Sequence, residues 1–152
     1  MAPSPPPQRE VAQRGVLRDI VYAQLPDGRQ PAKEFIASLG VKDRMSFTSL
    51  FLTMAGHGLI RNPSKFRPNI DKFHCQTGDI NRKYVLAEFK ISHGSGQRIF
   101  AYLNGRQWVL VSGFPKGASL ESEMSRARRI VCADAAFHQP PPNSQETGDA
   151  IV

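Results

Sequence analysis

The pattern of hydrophobic and polar positions predicts a strand and two helices in the first part of the chain. Val16–Leu25 is rich in β-branched and aromatic residues and ends at a Pro-Asp-Gly turn, which predicts a strand. In Ala32–Leu39 and Lys42–Ala55, apolar residues recur at helical spacing, and glycines follow each segment. We therefore expect an N-terminal helical hairpin whose apolar stripe packs in the core.

Alternating positions predict three further strands. Tyr84–Ile91 and Gln97–Leu103 alternate apolar and polar residues, whereas Arg106–Phe114 is apolar on both faces, which is typical of a central strand. Asn104-Gly105 predicts a tight hairpin between the last two strands. Leu59–Asn81 shows no regular pattern.

A final helix follows these strands and completes the predicted fold. Ser119 is its N-cap, acidic residues occupy its first turn and arginines occupy its later turns, an order that suits the helix dipole. The predicted class is α+β, in which a small, mostly antiparallel sheet carries the N-terminal helical hairpin and a C-terminal helix.

Both ends of the chain differ from the middle in composition. Met1–Gln13 and Phe137–Val152 are rich in proline and polar residues, so we expect two flexible tails around one folded domain at Arg14–Ala136. The proline-rich start does not resemble a secretory signal. No apolar run approaches the roughly 20 residues that span a bilayer, so we expect no membrane partner.

The cysteines and histidines are few. Cys75 and Cys132 do not suggest a disulfide scaffold, and we expect a reducing, cytoplasmic location. The scarcity of Cys and His also argues against structural zinc, and no motif suggests a cofactor.

The net charge of +7 is concentrated in one segment. Arg61–Lys116 contains ten basic and three acidic residues, which accounts for the whole net charge. A concentrated basic surface predicts a polyanion, a ribosome or an acidic protein as partner.

Several charged and proton-carrying residues lie at alternate positions of neighbouring strands. If the apolar positions face the helices, the other positions form an open, basic sheet face. The candidate catalytic residues of that face are Glu88, Lys90, His93, Arg98, Tyr102 and Lys116. The candidate RNA-binding residues beside it are Arg82, Lys83 and Arg126. The alternative is a solvated face with ordinary cross-strand ion pairs.

Such a face suits metal-free cleavage of RNA. The chain lacks a carboxylate cluster for magnesium, a phosphate-binding GxxxxGK[ST] loop and an evident Ser/His/Asp set. In metal-free cleavage the 2′-hydroxyl of the RNA attacks the neighbouring phosphorus. Arg and Lys stabilise the anionic transition state, while His, Tyr, Lys or Glu transfers protons.

Four segments resemble motifs of the RelE/ParE superfamily of toxin–antitoxin toxins, especially its HigB-like, phage-derived branch. They are YVLAEFKI at 84–91, GQRIFAY at 96–102, NGRQWVLVSGFPK at 104–116 and SEMSRARR at 122–129. The predicted order of helices and strands is also the order of that family.

The resemblance implies a RelE-like fold and a toxin that a cognate antitoxin, typically a helix-turn-helix protein, holds inactive. RelE-like and HigB-like members cleave mRNA on the ribosome, whereas ParE-like members poison DNA gyrase. By position, Arg98 matches the arginine that holds the scissile phosphate. Lys90 and Glu88 match charged positions of the preceding strand, and Lys116 matches the basic residue after the last strand.

Three functional hypotheses follow. The first is a ribosome-dependent mRNA endonuclease (an mRNA interferase) that blocks translation, in which Lys90, Arg98 and Lys116 bind phosphate. Protons would then be moved by His93, Tyr102 or Glu88. The second is a gyrase-poisoning toxin of the same fold, and the third is a non-enzymatic, phage-derived binding module.

Overall fold

Six strands form one sheet, and three helices cover it. The computed structural model describes residues 8–77, 80–91 and 96–138. The strands are β1 (Val11–Gln13), β2 (Asp19–Tyr22), β3 (Phe66–Thr77), β4 (Ile80–Lys90), β5 (Arg98–Asn104) and β6 (Gln107–Phe114). The helices are α1 (Pro31–Ala37), α2 (Val41–His57) and α3 (Leu120–His138).

The strand order is β1-β2-β6-β5-β4-β3, and every neighbouring pair is antiparallel except the parallel pair β2–β6. The α+β class is therefore confirmed.

The consecutive hairpins β4–β5–β6 are also confirmed. Asn104 pairs with Gln107 across a two-residue turn, and Gly105 has a φ of 61°, a left-handed conformation that glycine adopts without a steric penalty. The register shifts between Phe100 and Ala101, so β6 contains a bulge opposite the middle of β5.

Helices α1 and α2 cover one side of the sheet, which we call the α2 face. The ring of Phe51 meets Phe89 edge-on at 5.2 Å, and Phe89 in turn contacts Trp108 of β6. The Phe35 ring of α1 lies directly over Gly113, where a β-carbon would overlap the ring atoms. This close approach explains why glycine stands beside Phe114 at the end of β6.

Helix α3 covers the opposite side of the sheet, which we call the α3 face. Its buried sheet residues are Leu86, Phe100, Tyr102, Val109 and Val111, which pack with Ala127, Ile130 and Val131 of α3. This is the side that the alternation of the strands predicts to be open. That prediction is wrong over most of the face, because α3 has its own apolar stripe and buries it there.

The N-terminal helical hairpin is the part of the predicted fold that is wrong. The N-terminal region consists of β1 and β2, and β2 is a shorter form of the strand predicted at Val16–Leu25. The two helices follow these strands near their predicted positions, but each packs on the sheet. The main contacts of α1 are with β6, whereas α2 contacts β1, β2 and β4.

The boundaries of the folded region also differ from the predicted ones. Strand β1 lies inside the predicted tail Met1–Gln13, so the fold begins before Arg14. Helix α3 continues past Ala136 to His138. Residues 1–7 and 139–152 of the predicted tails lie outside the described residues.

A buried ion pair holds the N-terminal segment against α3. The guanidinium of Arg9 donates to Asp134 at 2.9 Å, and the two side chains are 6% and 0% exposed. Arg9 also donates to the hydroxyl of Tyr102 at 3.1 Å, and the backbone amide of Gln24 donates to Asp134 at 2.8 Å. The carboxylate of Asp134 therefore joins β5, α3, the segment before β1 and the segment after β2.

A disulfide between Cys75 and Cys132 ties β3 to α3. This corrects the expectation that the two cysteines stay unlinked. They lie 57 positions apart, and only the docking of α3 beside β3 brings them together. Next to the disulfide, Arg128 forms a two-pronged ion pair with Asp71 at 2.7 and 2.8 Å.

Replacing Arg9 by alanine is expected to destabilise the fold strongly. The change leaves the Asp134 carboxylate buried without its cation, and breaking a buried pair in this way costs about 3–5 kcal/mol. Chemical denaturation measures the loss. The control is Arg14→Ala, because Arg14 is 78% exposed and its pair with Asp19 is long, at 3.7 Å. Arg14→Ala is expected to cost less than about 0.5 kcal/mol. Equal denaturation midpoints for the two variants would contradict the role of the buried pair.

Removing the disulfide is expected to lower the stability without abolishing the fold. A loop of this length constrains the unfolded chain by about 4 kcal/mol, in a model based on chain entropy. We expect the double variant Cys75→Ala/Cys132→Ala, and the parent protein in thiol reductant, to unfold at similarly lower denaturant concentrations. A parent protein that unfolds at the same concentration with and without reductant would show that the cysteines are not linked.

Candidate nucleic-acid interface

The ends of three strands bring four charged residues together on the α3 face. Arg67 of β3 lies opposite Glu88 of β4, and Lys90 of β4 lies opposite Arg98 of β5. Paired residues of neighbouring strands point to the same side of a sheet, and Glu88 and Lys90 are two positions apart. The structure therefore places all four at one end of the sheet.

Glu88 is the centre of this group. Its side chain is fully buried, and one carboxylate oxygen accepts a hydrogen bond from Arg67 Nε at 3.3 Å. The other oxygen accepts one from Arg98 Nη1 at 3.4 Å. The arginine side chains remain 45% and 23% exposed, so each reaches from the buried carboxylate to solvent.

Lys116 joins the group from the loop after β6. Gly96, which precedes β5, has a φ of 65°, and a β-carbon built on it would lie 3.0 Å from Cβ of Lys116. Glycine is required here both by the left-handed backbone and by this contact. Lys116 is exposed and lies beside the segment that leads into Arg98.

We call Arg67, Lys90, Arg98 and Lys116 the basic cluster. It carries four positive charges around a single carboxylate, so its net charge is strongly positive. Arginine offers five N–H donors in a planar fork that matches phosphate, and lysine adds a compact charge. The arrangement can bind an anion and can stabilise negative charge that develops on it.

Tyr102 does not belong to the basic cluster. It is 1% exposed, its hydroxyl donates to Asp134 at 2.6 Å, and it accepts from Arg9. Burial raises the pKa of Tyr102 well above its ordinary value of 10.0, and Asp134 raises it further against the opposing charge of Arg9. The phenol therefore stays protonated near neutral pH and has a structural role. Its hydroxyl therefore lies under α3 and not among the charged residues with which the sequence groups it.

The remaining candidates are dispersed. Arg82 and Lys83 lie near the other end of β4, and Arg82 is eight positions from Lys90 along the strand, about 26 Å away. Arg126 lies on α3 and pairs with Glu123 at 3.8 Å. These three are not part of the basic cluster. His93 lies outside the described residues.

Sequence reasoning missed Arg67 as a site residue. It lies on β3, which falls in the segment predicted to be irregular. A bulge between Arg67 and Asp71 shifts the register, and Pro68 within it has no N–H for the ladder. The interrupted alternation concealed the strand, although the later positions Ile70, Phe73 and Cys75 are apolar.

Two further properties of the described residues bear on function. In this part of the chain, no three His, Cys, Asp or Glu side chains come together as a possible metal site. Over the same residues, no helix has the length and apolar character needed to cross a membrane.

Comparison with known proteins adds no family assignment. The chain matches no protein-family model, no curated protein and no solved structure at a significant level.

The buried Tyr102 is expected to make stability depend on alkaline pH. Its folded-state pKa lies above its unfolded-state pKa, so its contribution is complete below about pH 10 and is lost as the pH rises further. Each such group can lower the free energy of unfolding by up to about 1.4 kcal/mol per pH unit in that range.

Denaturation of the parent and of Tyr102→Phe, from neutral pH to above pH 10, measures this effect. The variant loses its hydrogen bonds to Asp134 and Arg9, so its stability is lower at every pH. Its decline above pH 10 is nevertheless expected to be shallower than that of the parent. Parallel declines would contradict the raised pKa.

Proposed function

We propose that the protein is the toxin of a toxin–antitoxin pair and acts as a metal-independent, ribosome-dependent mRNA endonuclease. The basic cluster is the observation that carries this proposal. It gathers four cations from three strands and one loop at the uncovered end of the α3 face. The carboxylate at its centre, that of Glu88, is buried and already shared by two arginines.

The chemistry of RNA cleavage suits this arrangement. Attack by a 2′-hydroxyl builds negative charge on the oxygens around phosphorus, and fixed cations that meet that charge lower the barrier. Lys90, Arg98 and Lys116 would hold the scissile phosphate.

The resemblance to RelE/ParE toxins supports the proposal through the order of the elements. The series β2-α1-α2-β4-β5-β6-α3 is the order that the resemblance implies, and β1 and β3 are additions to it. A toxin of this kind would require a cognate antitoxin, expected to be a helix-turn-helix protein.

The compartment places a condition on the proposal. Ribosomes and mRNA lie in the cytoplasm, where thiols are kept reduced. The proposed toxin must therefore keep its fold when Cys75 and Cys132 are reduced, and the double alanine variant described above measures this.

A gyrase-poisoning toxin of the same fold is the second candidate, and a specific observation favours it. Among the described residues, the cations of the basic cluster are assigned to phosphate, and two of the three residues predicted to move protons are engaged elsewhere, since Tyr102 lies under α3 and Glu88 is held by two arginines. Under the nuclease proposal, His93 is the remaining predicted residue for this task. A gyrase poison needs no such group.

Arg98→Ala and Lys116→Ala are expected to abolish toxicity. Lys116→Ala should leave the stability unchanged, whereas Arg98→Ala removes one of the two cations of buried Glu88 and should lower the melting temperature while Arg67 keeps the pair. Each change removes a cation from the proposed transition state, which costs on the order of a hundredfold in rate if the group acts like an oxyanion donor. Lys72→Ala is the matched control, because Lys72 is exposed on β3 and pairs with Val85, on the other side of the sheet from Glu88.

The measurements are growth, translation and plasmid supercoiling after expression without the proposed antitoxin, with thermal melting of each purified variant. We expect the parent and Lys72→Ala to stop translation and the other two variants to grow normally. Full toxicity of folded Arg98→Ala and Lys116→Ala would refute the assignment of the site. A change in supercoiling with translation intact would favour the gyrase candidate.

A further inference from the structure

We propose that Arg67 and Arg98 form a two-armed clamp for one phosphodiester of single-stranded RNA, and that Glu88 is the positioning residue that holds both arms. This inference rests on the proposed function for its ligand. It adds to the proposed function a phosphate contact from Arg67, which lies on β3, a strand outside the RelE-like series of elements. It also gives Glu88 a role other than proton transfer.

The geometry of Glu88 is the first step. Its two oxygens are divided between the two arginines, one at 3.3 Å and the other at 3.4 Å. Because both guanidinium groups contact the same carboxylate, they are held close enough to reach a single phosphate group. Arg67 and Arg98 lie on the strands at either side of β4, and without the carboxylate between them the two cations would repel each other and move apart.

The unused hydrogen-bond donors are the second step. Each guanidinium has five N–H donors, and the contact with Glu88 uses one. Within the described ranges, the side chains of Arg67 and Arg98 have no hydrogen-bond or ion-pair partner besides Glu88, and both reach solvent. The remaining N–H groups can therefore bind an incoming anion in the fork geometry that suits phosphate.

The burial of Glu88 is the third step. A carboxylate with no solvent exposure is costly unless its partners compensate, and here the two arginines do so. The net charge of the three residues remains positive, and Lys90, opposite Arg98, increases it. Glu88 thus holds the two arginine side chains in place before the RNA binds, which reduces the entropy lost on binding. The site still attracts anions because its net charge stays positive.

The variant Glu88→Gln distinguishes a positioning role of Glu88 from a simple effect of net charge on RNA affinity. The substitution keeps the size of the side chain and makes the protein more positive by one charge. If charge alone governs binding, the variant should bind RNA more tightly. If Glu88 holds the clamp, the variant should bind more weakly despite the added charge, and the dependence of log affinity on log salt should become shallower.

The experiment measures binding of a short fluorescent single-stranded RNA oligonucleotide to the full chain over a series of salt concentrations. Thermal melting of each variant accompanies it. Arg67→Ala is expected to bind about tenfold more weakly, as the loss of one charge-assisted contact implies. Its salt slope should fall by about 0.7, the value for one phosphate contact with a single strand.

Two further variants make the test decisive. Lys72→Ala removes the same charge from the same strand on the opposite side of the sheet, and it should bind nearly as well as the parent. Arg67→Lys keeps the charge and loses the fork, so it should remain weaker than the parent. Because Arg67 is partly exposed, the Arg67 variants test the clamp even if Glu88→Gln fails to fold.

The outcomes distinguish this inference from the proposed function. Tighter binding by folded Glu88→Gln, or parental binding by Arg67→Ala, would overturn the clamp even in a protein that blocks translation. Weaker binding by both Glu88→Gln and Arg67→Ala would support the clamp. If the parent also left translation intact, that second result would refute the proposed function and leave the clamp standing. Equal binding of a matched single-stranded DNA, with the same losses, would overturn the assignment to RNA.

Discussion

The docking of α3 across the sheet is the constraint on which the rest of the structure depends. Its apolar stripe fills one face, and three polar or covalent links fix its position: the Arg9–Asp134 pair, the Cys75–Cys132 disulfide and the Arg128–Asp71 pair. These links pin the helix on the sheet, while Arg67 and Arg98 at one end of the same face keep part of their side chains exposed to solvent. The basic cluster lies there.

The parts of the fold that follow from neighbouring residues could be predicted from the sequence. The alternation in β4 and β5, the apolar run in β6 and the glycine of the hairpin turn encode local geometry, and all three strands form near their predicted positions. The helices α1, α2 and α3 also follow from local spacing. None of this information states which side of the sheet each helix covers, so the local pattern does not reveal that α3 covers most of the face expected to be open.

The features that depend on distant residues could not be predicted. Arg9 lies in a proline-rich segment that reads as a tail, and its partner Asp134 is 125 positions away. The same holds for the two cysteines, whose pairing needs α3 to lie beside β3. Strand β3 was missed for a local reason, since the bulge near Pro68 interrupts the period of two before the alternation is established.

For the candidate site too, the sequence predicts which charged residues belong to it but does not predict their three-dimensional surroundings. The sequence identified Lys90, Arg98 and Lys116 because they are charged and lie at suitable strand positions, but it could not tell how deeply their neighbours are buried. Glu88 and Tyr102 follow the same alternation and share a face, yet one contacts two arginines at the rim while the other is bonded to Asp134 under α3. The described part of the site can therefore stabilise an anion, and neither Glu88 nor Tyr102 is free in it to move a proton. Under the nuclease proposal, proton transfer then falls to His93 or to groups of the bound ribosome, and the contribution of the basic cluster is to hold the phosphate.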